Sequence, residues 1–177
     1  VQFIMLDCRY YRDRKEKSML GTFQKQWLKD TLRSSEATFK VIASSVPFSE
    51  GIKPGSKDPW DGYPEEREEI FSFIEKEKIE GVLLIAADRH RIDFRKISRP
   101  KGYDFLEFVS GRITNRHVHS VVKTDGLVWG YNKTCGYCLL DFNTTKKNPE
   151  MKFEAYDNSG KLLFAQKVLA TDLKFRN

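Results

Sequence analysis

The pattern of apolar and polar positions over residues 1–99 predicts alternating strands and helices. Apolar runs of strand length occur at 2–7, 39–45 and 82–87. Amphipathic helical patterns occur between them at 20–32 and 65–78. In the first predicted helix, Leu20, Phe23, Trp27 and Leu28 share one face and are expected in the core. The β-α-β-α-β order predicts an α/β fold, with parallel strands joined by right-handed crossovers and covered by helices.

The pattern changes over residues 100–177, where strand-like segments dominate. Turn signals such as Asn148-Pro149 and Asn158-Ser159-Gly160 separate these segments. The predicted strands lie at 104–109, 126–131, 137–142, 151–156 and 161–169. Short strands divided by such turns indicate antiparallel ribbons.

Composition and charge indicate which classes of protein the chain can belong to. With 177 residues, 40% of them hydrophobic, the chain can bury one core and is expected to form one domain. The net charge is +6, but acids are interspersed among the basic residues. This favours a solvated surface, with a basic cleft for an anionic substrate as the alternative, over a nucleic-acid-binding module. Cys135 and Cys138 have C-x-x-C spacing without a second ligand pair, so structural cysteines are favoured over a redox pair or half of a zinc site.

No segment has the composition of a membrane span or a signal peptide. A span needs about 18 consecutive apolar residues, and no run approaches that length. The chain opens directly inside a predicted strand, without an initiator Met. We therefore expect it to be a fragment of a longer protein.

Polar residues end each predicted parallel strand. Asp7 and Arg9 follow the first, Ser44 and Ser45 end the second, and Asp88-Arg89-His90 follows the third. Ligands of open α/β sheets bind beyond the carboxyl ends of the strands, so these residues are expected to face one crevice. Asp88 and His90 are suited to a common metal ion; the alternative is a surface turn with solvated arginines.

Three further groups of residues allow two interpretations each. Arg9 could clamp a phosphate with its guanidinium, or belong to an ion-pair network at the strand exit. His117 and His119 could be metal ligands, partners of ligands or substrate donors, or form a structural or solvated H-x-H pair. Trp60 and Tyr63 lie in a turn-rich loop and could form a substrate wall or lid, or pack down as anchors.

Six motifs follow one another in a characteristic order. They are D-C-R-Y-Y-R-D at 7–13, M-L-G-T-F-Q-K-Q-W-L at 19–28, F-K-V-I-A-S-S-V-P-F at 39–48, D-P-W-D-G-Y at 58–63, G-V-L-L-I-A-A-D-R-H-R at 81–91 and V-S-G-R-I-T-N-R-H-V-H at 109–119. In order and spacing they resemble the PhoD-like alkaline phosphatase and phosphodiesterase family, within the calcineurin-like metallophosphoesterases. The resemblance covers roughly the first 120 residues and is looser beyond them.

The resemblance implies a fold and an activity. The chain, 1–177, would be the C-terminal part of a single domain built as a four-layer α/β/β/α sandwich. The activity would be hydrolysis of phosphate monoesters or diesters by a metal-activated water, with Ca, Fe, Zn, Mn or Mg as the metal. Family members of this kind are expected in the periplasm, in the cell envelope or outside the cell.

The resemblance also implies roles for particular residues. Asp88 and His90 match a metal-binding motif of the family. Arg9, His117 and His119 are expected to be catalytic. Substrate contacts are expected from Arg9, Trp60, Tyr63, Arg89 and Asn115.

Two features set the chain apart from the family pattern. Ala87 replaces the glycine before the metal-binding aspartate, and Cys8 replaces a threonine. Ala87 would be strained if its position required a positive φ. The early metal motifs of the family lie upstream of Val1, so the missing N-terminal part is the expected partner and the fragment by itself is expected to be inactive. The alternative is a catalytically degenerate binding domain of the same fold.

Overall fold

Two β-sheets and two α-helices form the structure. The computed structural model describes residues 1–114 and 116–176. The strands are β1 (Gln2–Met5), β2 (Lys40–Ser44), β3 (Val82–Ala86), β4 (Ile92–Ile97), β5 (Phe105–Val109), β6 (Leu127–Tyr131), β7 (Gly136–Asn143), β8 (Glu150–Asp157) and β9 (Leu162–Leu169). The helices are α1 (Gly21–Ser34) and α2 (Pro64–Lys76), with short 3-10 turns at Trp60–Gly62 and Ala170–Leu173.

The larger sheet has six strands in the order β1-β2-β3-β5-β4-β6. Strands β1, β2, β3 and β5 are parallel, while β4 is antiparallel to both β5 and β6. The predicted parallel arrangement of the first three strands is confirmed. The antiparallel prediction for the second half is confirmed for β7, β8 and β9, which form a separate three-stranded sheet, but it is wrong for the β3–β5 pair.

The two helices cover one face of the larger sheet. Helix α2 begins with Pro64 at its first turn and buries Ile70, Phe71 and Ile74. Helix α1 buries Gln24, Leu28 and Leu32, which are four residues apart. The prediction that Phe23 and Trp27 face the core is wrong, because they are 74% and 43% exposed.

The three-stranded sheet covers the opposite face of the larger sheet. The ring centroids of Phe108 on β5 and Phe153 on β8 are 4.6 Å apart. Phe94 on β4 stacks on Phe108 with a centroid distance of 4.9 Å. These aromatic contacts join the two sheets into one apolar core.

Strand β4 was not predicted from the sequence. Its segment alternates Ile92, Phe94 and Ile97 with charged residues, a pattern usually read as a half-exposed strand or a loop. In the structure Asp93 and Arg95 are buried. The sequence gives no indication that these charges pair with one another inside the protein.

The sheet places its parallel carboxyl ends along one edge. Met5, Ser44, Ala86 and Val109 end their strands there. The predicted site segments begin directly after these residues, as expected for an open α/β sheet. Neither α-helix of the described residues is long and apolar enough to cross a membrane.

Candidate metal centre

The three histidines of the chain meet at the carboxyl edge of the sheet. His90 lies in the loop after β3, and His117 and His119 lie in the loop between β5 and β6. Their ligand atoms all lie within 4.8 Å of one another. Imidazole nitrogens at this spacing are suited to binding a single metal ion.

The three rings are arranged around one another. His90 and His119 are stacked, with centroids 4.9 Å apart. The ring of His117 is nearly perpendicular to both, at 5.7 Å from His90 and 4.7 Å from His119. Nδ1 of His90 lies 3.1 Å from the carbonyl oxygen of His117. Because a carbonyl only accepts, this bond places the proton of a neutral His90 on Nδ1 and leaves Nε2 as the ligand atom.

His119 is held in a form that can bind a cation. Burial and the nearby charge of Arg89 lower the pKa of its imidazole, which favours the neutral ring. Its Nδ1 is buried and has no hydrogen-bond partner among residues 1–114 and 116–176. A neutral ring with an unpaired buried nitrogen is available as a metal ligand.

Asp88 lies beside this group but outside it. Its Oδ2 atom is buried, receives no hydrogen bond from the described part of the chain, and lies 3.7 Å from Nζ of Lys53. The φ angles of Asp88 and His90 are 69° and 48°, whereas Ala87 has no positive φ. The condition under which Ala87 would be strained is therefore not met. The metal-binding role of Asp88 stays a prediction.

Arg9 takes part in an ion-pair network. Its Nη1 and Nη2 donate to Oδ1 and Oδ2 of Asp58 at 2.5 and 3.2 Å, and Arg12 donates to the same Oδ1 at 2.8 Å. The two guanidinium groups hold the pKa of the Asp58 carboxyl well below its usual range. Asp7 accepts backbone bonds from Arg9 and Tyr10 and so fixes the turn after β1. The side chain of Arg9 is 46% exposed, so a phosphate could still reach it.

The predicted aromatic contacts to substrate are packed in the core. Trp60 is 0% exposed and Tyr63 is 3% exposed. The Trp60 ring stacks on Phe48 with centroids 4.8 Å apart, and its Nε1 donates to Oγ of Ser44 at 3.1 Å. Both side chains are thus anchors of their loop, as in the second of the two sequence interpretations.

The remaining predicted residues differ in accessibility. Arg89 is only 4% exposed, and its Nε and Nη1 have no hydrogen-bond partner in the part of the chain that the structure describes. It lies close enough to His119 to influence that ring electrostatically, but it is not on the surface. Asn115 lies outside the described residues. Burial raises the pKa of Cys138 to about 11, which disfavours a metal-binding thiolate there.

Lys53 was missed by the sequence interpretation. Its Nζ lies 3.7 Å from Oδ2 of both Asp58 and Asp88, so it links the Arg9 network to the candidate metal-binding motif. A lysine in a loop rich in Gly, Pro and Ser gives no signal of this placement. Only the path of the loop over the sheet edge brings it there.

Comparison with known proteins identifies the family. The model of the family described as "PhoD-like phosphatase" matches residues 1–173. The chain belongs to the PhoD-like phosphatase family. The family assignment made from the six motifs is therefore confirmed.

Two relatives of this PhoD-like chain are longer than the region that aligns with it. Alkaline phosphatase D of Bacillus subtilis (strain 168) is 31% identical over 125 residues, an alignment covering 54% of this chain and 21% of that protein. A solved structure titled "Structure of PhoD" aligns with a TM-score of 0.56 and 23% identity, covering 94% of this chain and 41% of the other. The chain thus spans well under half the length of these two relatives, and the second shares its fold.

Proposed function

We propose that this PhoD-like chain supplies the C-terminal half of an active site that hydrolyses phosphate monoesters or diesters with a metal-activated water. The observation that carries the proposal is the convergence of His90, His117 and His119 at the carboxyl edge of the sheet. Family membership supports the phosphoester substrate class.

The donor set fits a borderline divalent or trivalent metal ion. Imidazole ligands favour zinc or iron, whereas calcium and magnesium favour oxygen. Asp88 adds a buried carboxylate oxygen with no hydrogen bond from the described residues. We infer that the three histidines hold one ion, and that Asp88 serves the same ion or a harder neighbouring one. When bound, the metal would polarise the phosphoryl group and lower the pKa of a water molecule.

Basic side chains beside the histidines suit an anionic ester. Arg9 and Lys53 both lie within salt-bridge distance of Asp58, and Lys53 also reaches Asp88. A phosphate would replace Asp58 as the partner of the exposed Arg9 guanidinium, whose fork matches two phosphate oxygens. The buried Arg89 would add positive charge near His119.

The N-terminal part of the same protein is the proposed partner. The matched PhoD structure contains more than twice as much chain as this one. The described residues form three packed layers: the helices, the six-stranded sheet and the three-stranded sheet. We infer that the partner segment extends the smaller sheet and adds the fourth layer of an α/β/β/α sandwich.

The test is metal content and ester hydrolysis by the full-length protein and by this chain. We expect the full-length protein to hydrolyse a nitrophenyl phosphate monoester or diester, and this chain alone to bind metal weakly without turnover. His90→Ala, His117→Ala and His119→Ala should each reduce the metal content and lower the rate by at least about a hundredfold, because each removes a ligand. Cys135→Ser and Cys138→Ser are the matched controls and should leave both quantities unchanged.

The outcome also separates the two candidate functions. Normal metal content and normal turnover in all three histidine variants would overturn the site. Stoichiometric metal without turnover of either ester would favour the catalytically degenerate binding domain.

A further inference from the structure

A buried ion network lies directly behind the candidate metal centre. Arg91, Asp93 and Arg95 occupy alternate positions of β4 and its entry, so their side chains share one face of the sheet. Their side chains are 0%, 0% and 1% exposed. Nε of Arg91 lies 3.0 Å from both carboxylate oxygens of Asp93, and Nε of Arg95 lies 3.1 Å from Oδ2. Asp93 therefore orients both guanidinium groups.

Arg95 extends from this network to the loop that carries two of the histidines. Its Nη1 donates to Oγ1 of Thr124 at 2.8 Å, and its Nη2 donates to the carbonyl oxygen of Val122 at 2.9 Å. Thr124 and Val122 follow His119 by only a few residues. One planar side chain thus fixes the end of the histidine loop at two points.

Arg91 makes the corresponding contact to the other loop. Its Nη2 donates to the carbonyl oxygen of Ile52 at 3.3 Å. Ile52 precedes Lys53, whose Nζ faces Asp88. The same carboxylate, Asp93, therefore orients the arginines that hold the loops on both sides of the centre.

The histidine loop is irregular and makes further contacts with the elements around it. Its described residues between β5 and β6 form no helix or strand. Nδ2 of Asn132 donates to the carbonyl oxygen of His119 at 3.2 Å. A Cβ at Gly130 would lie 2.6 Å from Val121 and 3.1 Å from Asp93, so this glycine lets the loop lie flat against the network.

Stability alone does not explain such a network. Buried ion pairs are often no more stabilising than apolar residues of similar size, because desolvation offsets their attraction. They differ from apolar residues in being directional, because the hydrogen bonds of a guanidinium group form in a fixed planar geometry. Directional hydrogen bonds of this kind can hold metal ligands at a fixed spacing.

We propose that Arg95, oriented by Asp93, is a positioning residue of the metal centre. It holds Val122 and Thr124 so that His117 and His119 face His90. This role rests on the proposed metal function of the three histidines, but the order of the loop in metal-free protein can be measured independently.

The test uses Arg95→Met and the more conservative Thr124→Val. In metal-free full-length protein, backbone amides of the segment 116–124 should exchange hydrogen faster in Arg95→Met, while amides of β2 and β3 stay unchanged. Titration with Co²⁺ alone should show an affinity lower by at least about tenfold for Arg95→Met, the range typical of residues that orient metal ligands. Thr124→Val should show a smaller loss in the same direction, because the Val122 bond remains.

Arg99→Met is the matched control. Arg99 is a half-buried arginine that is ion-paired with Glu68 and Glu75. Its loss should lower the free energy of unfolding without changing the Co²⁺ affinity or the exchange of the histidine loop. If Arg99→Met had the same effect as Arg95→Met, the network would be merely structural and the proposal would be overturned.

Two further outcomes are decisive. If Arg95→Met does not fold, Thr124→Val provides the test by itself, and unchanged loop exchange and Co²⁺ affinity in that variant would refute the proposal. If the unsubstituted protein binds no Co²⁺, the metal centre fails and the positioning role fails with it. Faster loop exchange in Arg95→Met would then show only that the network orders the loop.

Discussion

Two residues of the candidate metal-binding motif have an unusual backbone conformation. Asp88 and His90 lie in the left-handed region, with φ of 69° and 48°. This region costs a residue with a Cβ about 1–2 kcal/mol relative to the right-handed one. Aspartate and histidine adopt it more often than most residues with a Cβ. Such outliers are common at functional sites.

The strain at His90 can be measured by comparing His90→Gly with His90→Ala. Both variants lack the imidazole, but only glycine adopts a positive φ without steric cost. We expect the glycine variant to unfold with a free energy about 1 kcal/mol higher than the alanine variant. Urea unfolding of the metal-free proteins measures this difference.

The same pair of substitutions at His119 is the control. His119 does not have a positive φ among the described residues. Glycine should there be less stable than alanine, because it gains flexibility in the unfolded chain. If the glycine variant differed from the alanine variant in the same direction at both positions, the assignment of strain to His90 would be contradicted.

The histidines show which parts of the candidate site can be predicted from sequence motifs. Asp88-x-His90 and His117-x-His119 were both identified as candidates from residue type and position after predicted strands. The sequence did not indicate that all three imidazoles form one group, since that depends on the course of the irregular loop between β5 and β6. Nor did it indicate that Arg89 is buried, because arginines at strand ends are usually solvated.

Ion pairs connect the loops at the carboxyl edge of the sheet. Asp58 connects its own loop to the turn after β1 through Arg9 and Arg12, and Lys53 adds a third cation at 3.7 Å. These contacts hold together segments that are otherwise separate in the chain. Because Asp58 is partly exposed, the network is expected to contribute modestly to stability.

Asp58→Asn tests the network through pH. The pKa of Asp58 is lowered in the folded protein, so its charge stabilises the fold above the unfolded pKa of about 4 and stops doing so as pH falls towards the lower folded value. At pH 7 we expect the substitution to lower the free energy of unfolding by about 1 kcal/mol. The difference from the unsubstituted protein should shrink progressively below pH 4 in urea titrations.

Asp30→Asn provides the reference. Asp30 lies on α1, is 58% exposed, and is paired with the exposed Arg33. We expect its substitution to change stability by much less at pH 7. A pH-independent loss in Asp58→Asn would mean that the effect is steric rather than electrostatic.

The elements were predicted with uneven success for physical reasons. Strands β2 and β3 are buried on both faces and appear as continuous apolar runs. Strand β4 alternates apolar and charged residues, and its Asp93 and Arg95 are buried in an ion pair with each other. On α1 the aromatic residues Phe23 and Trp27 suggested the wrong face, since size and hydrophobicity do not show which side meets the sheet.

The chain leaves an apolar corner uncovered. Phe3 and Met5 on the outer strand β1 are 53% and 66% exposed. Beside them lies a cleft of about 270 Å³ between the two sheets, lined mainly by apolar residues that include Met5, Ile85 and Leu140. In soluble proteins such patches commonly mark contacts with other polypeptide, and an exposed strand edge adds unpaired backbone groups. We propose that the N-terminal segment inferred above as the partner of this chain covers this corner.

Sedimentation velocity of this chain tests the prediction. The isolated chain should self-associate with increasing concentration, and Met5→Glu should shift it towards the monomer, because a buried charge at the contact is unfavourable. Phe23→Glu is the control, since Phe23 is 74% exposed on the helical side. A monomeric chain at all concentrations, or equal effects of both substitutions, would argue against the corner as a contact surface.

The spacing of the histidines along the chain has a consequence for folding. His90 and His117 are separated by 27 positions, and β4 and β5 lie between them. An ion shared by these ligands would close a loop of modest length, for which the entropic cost is small. Metal could therefore be captured by the β4–β5 hairpin before the remaining strands dock. In that case the ion would influence the order of folding as well as the chemistry, and its supply during synthesis would affect the yield of native protein.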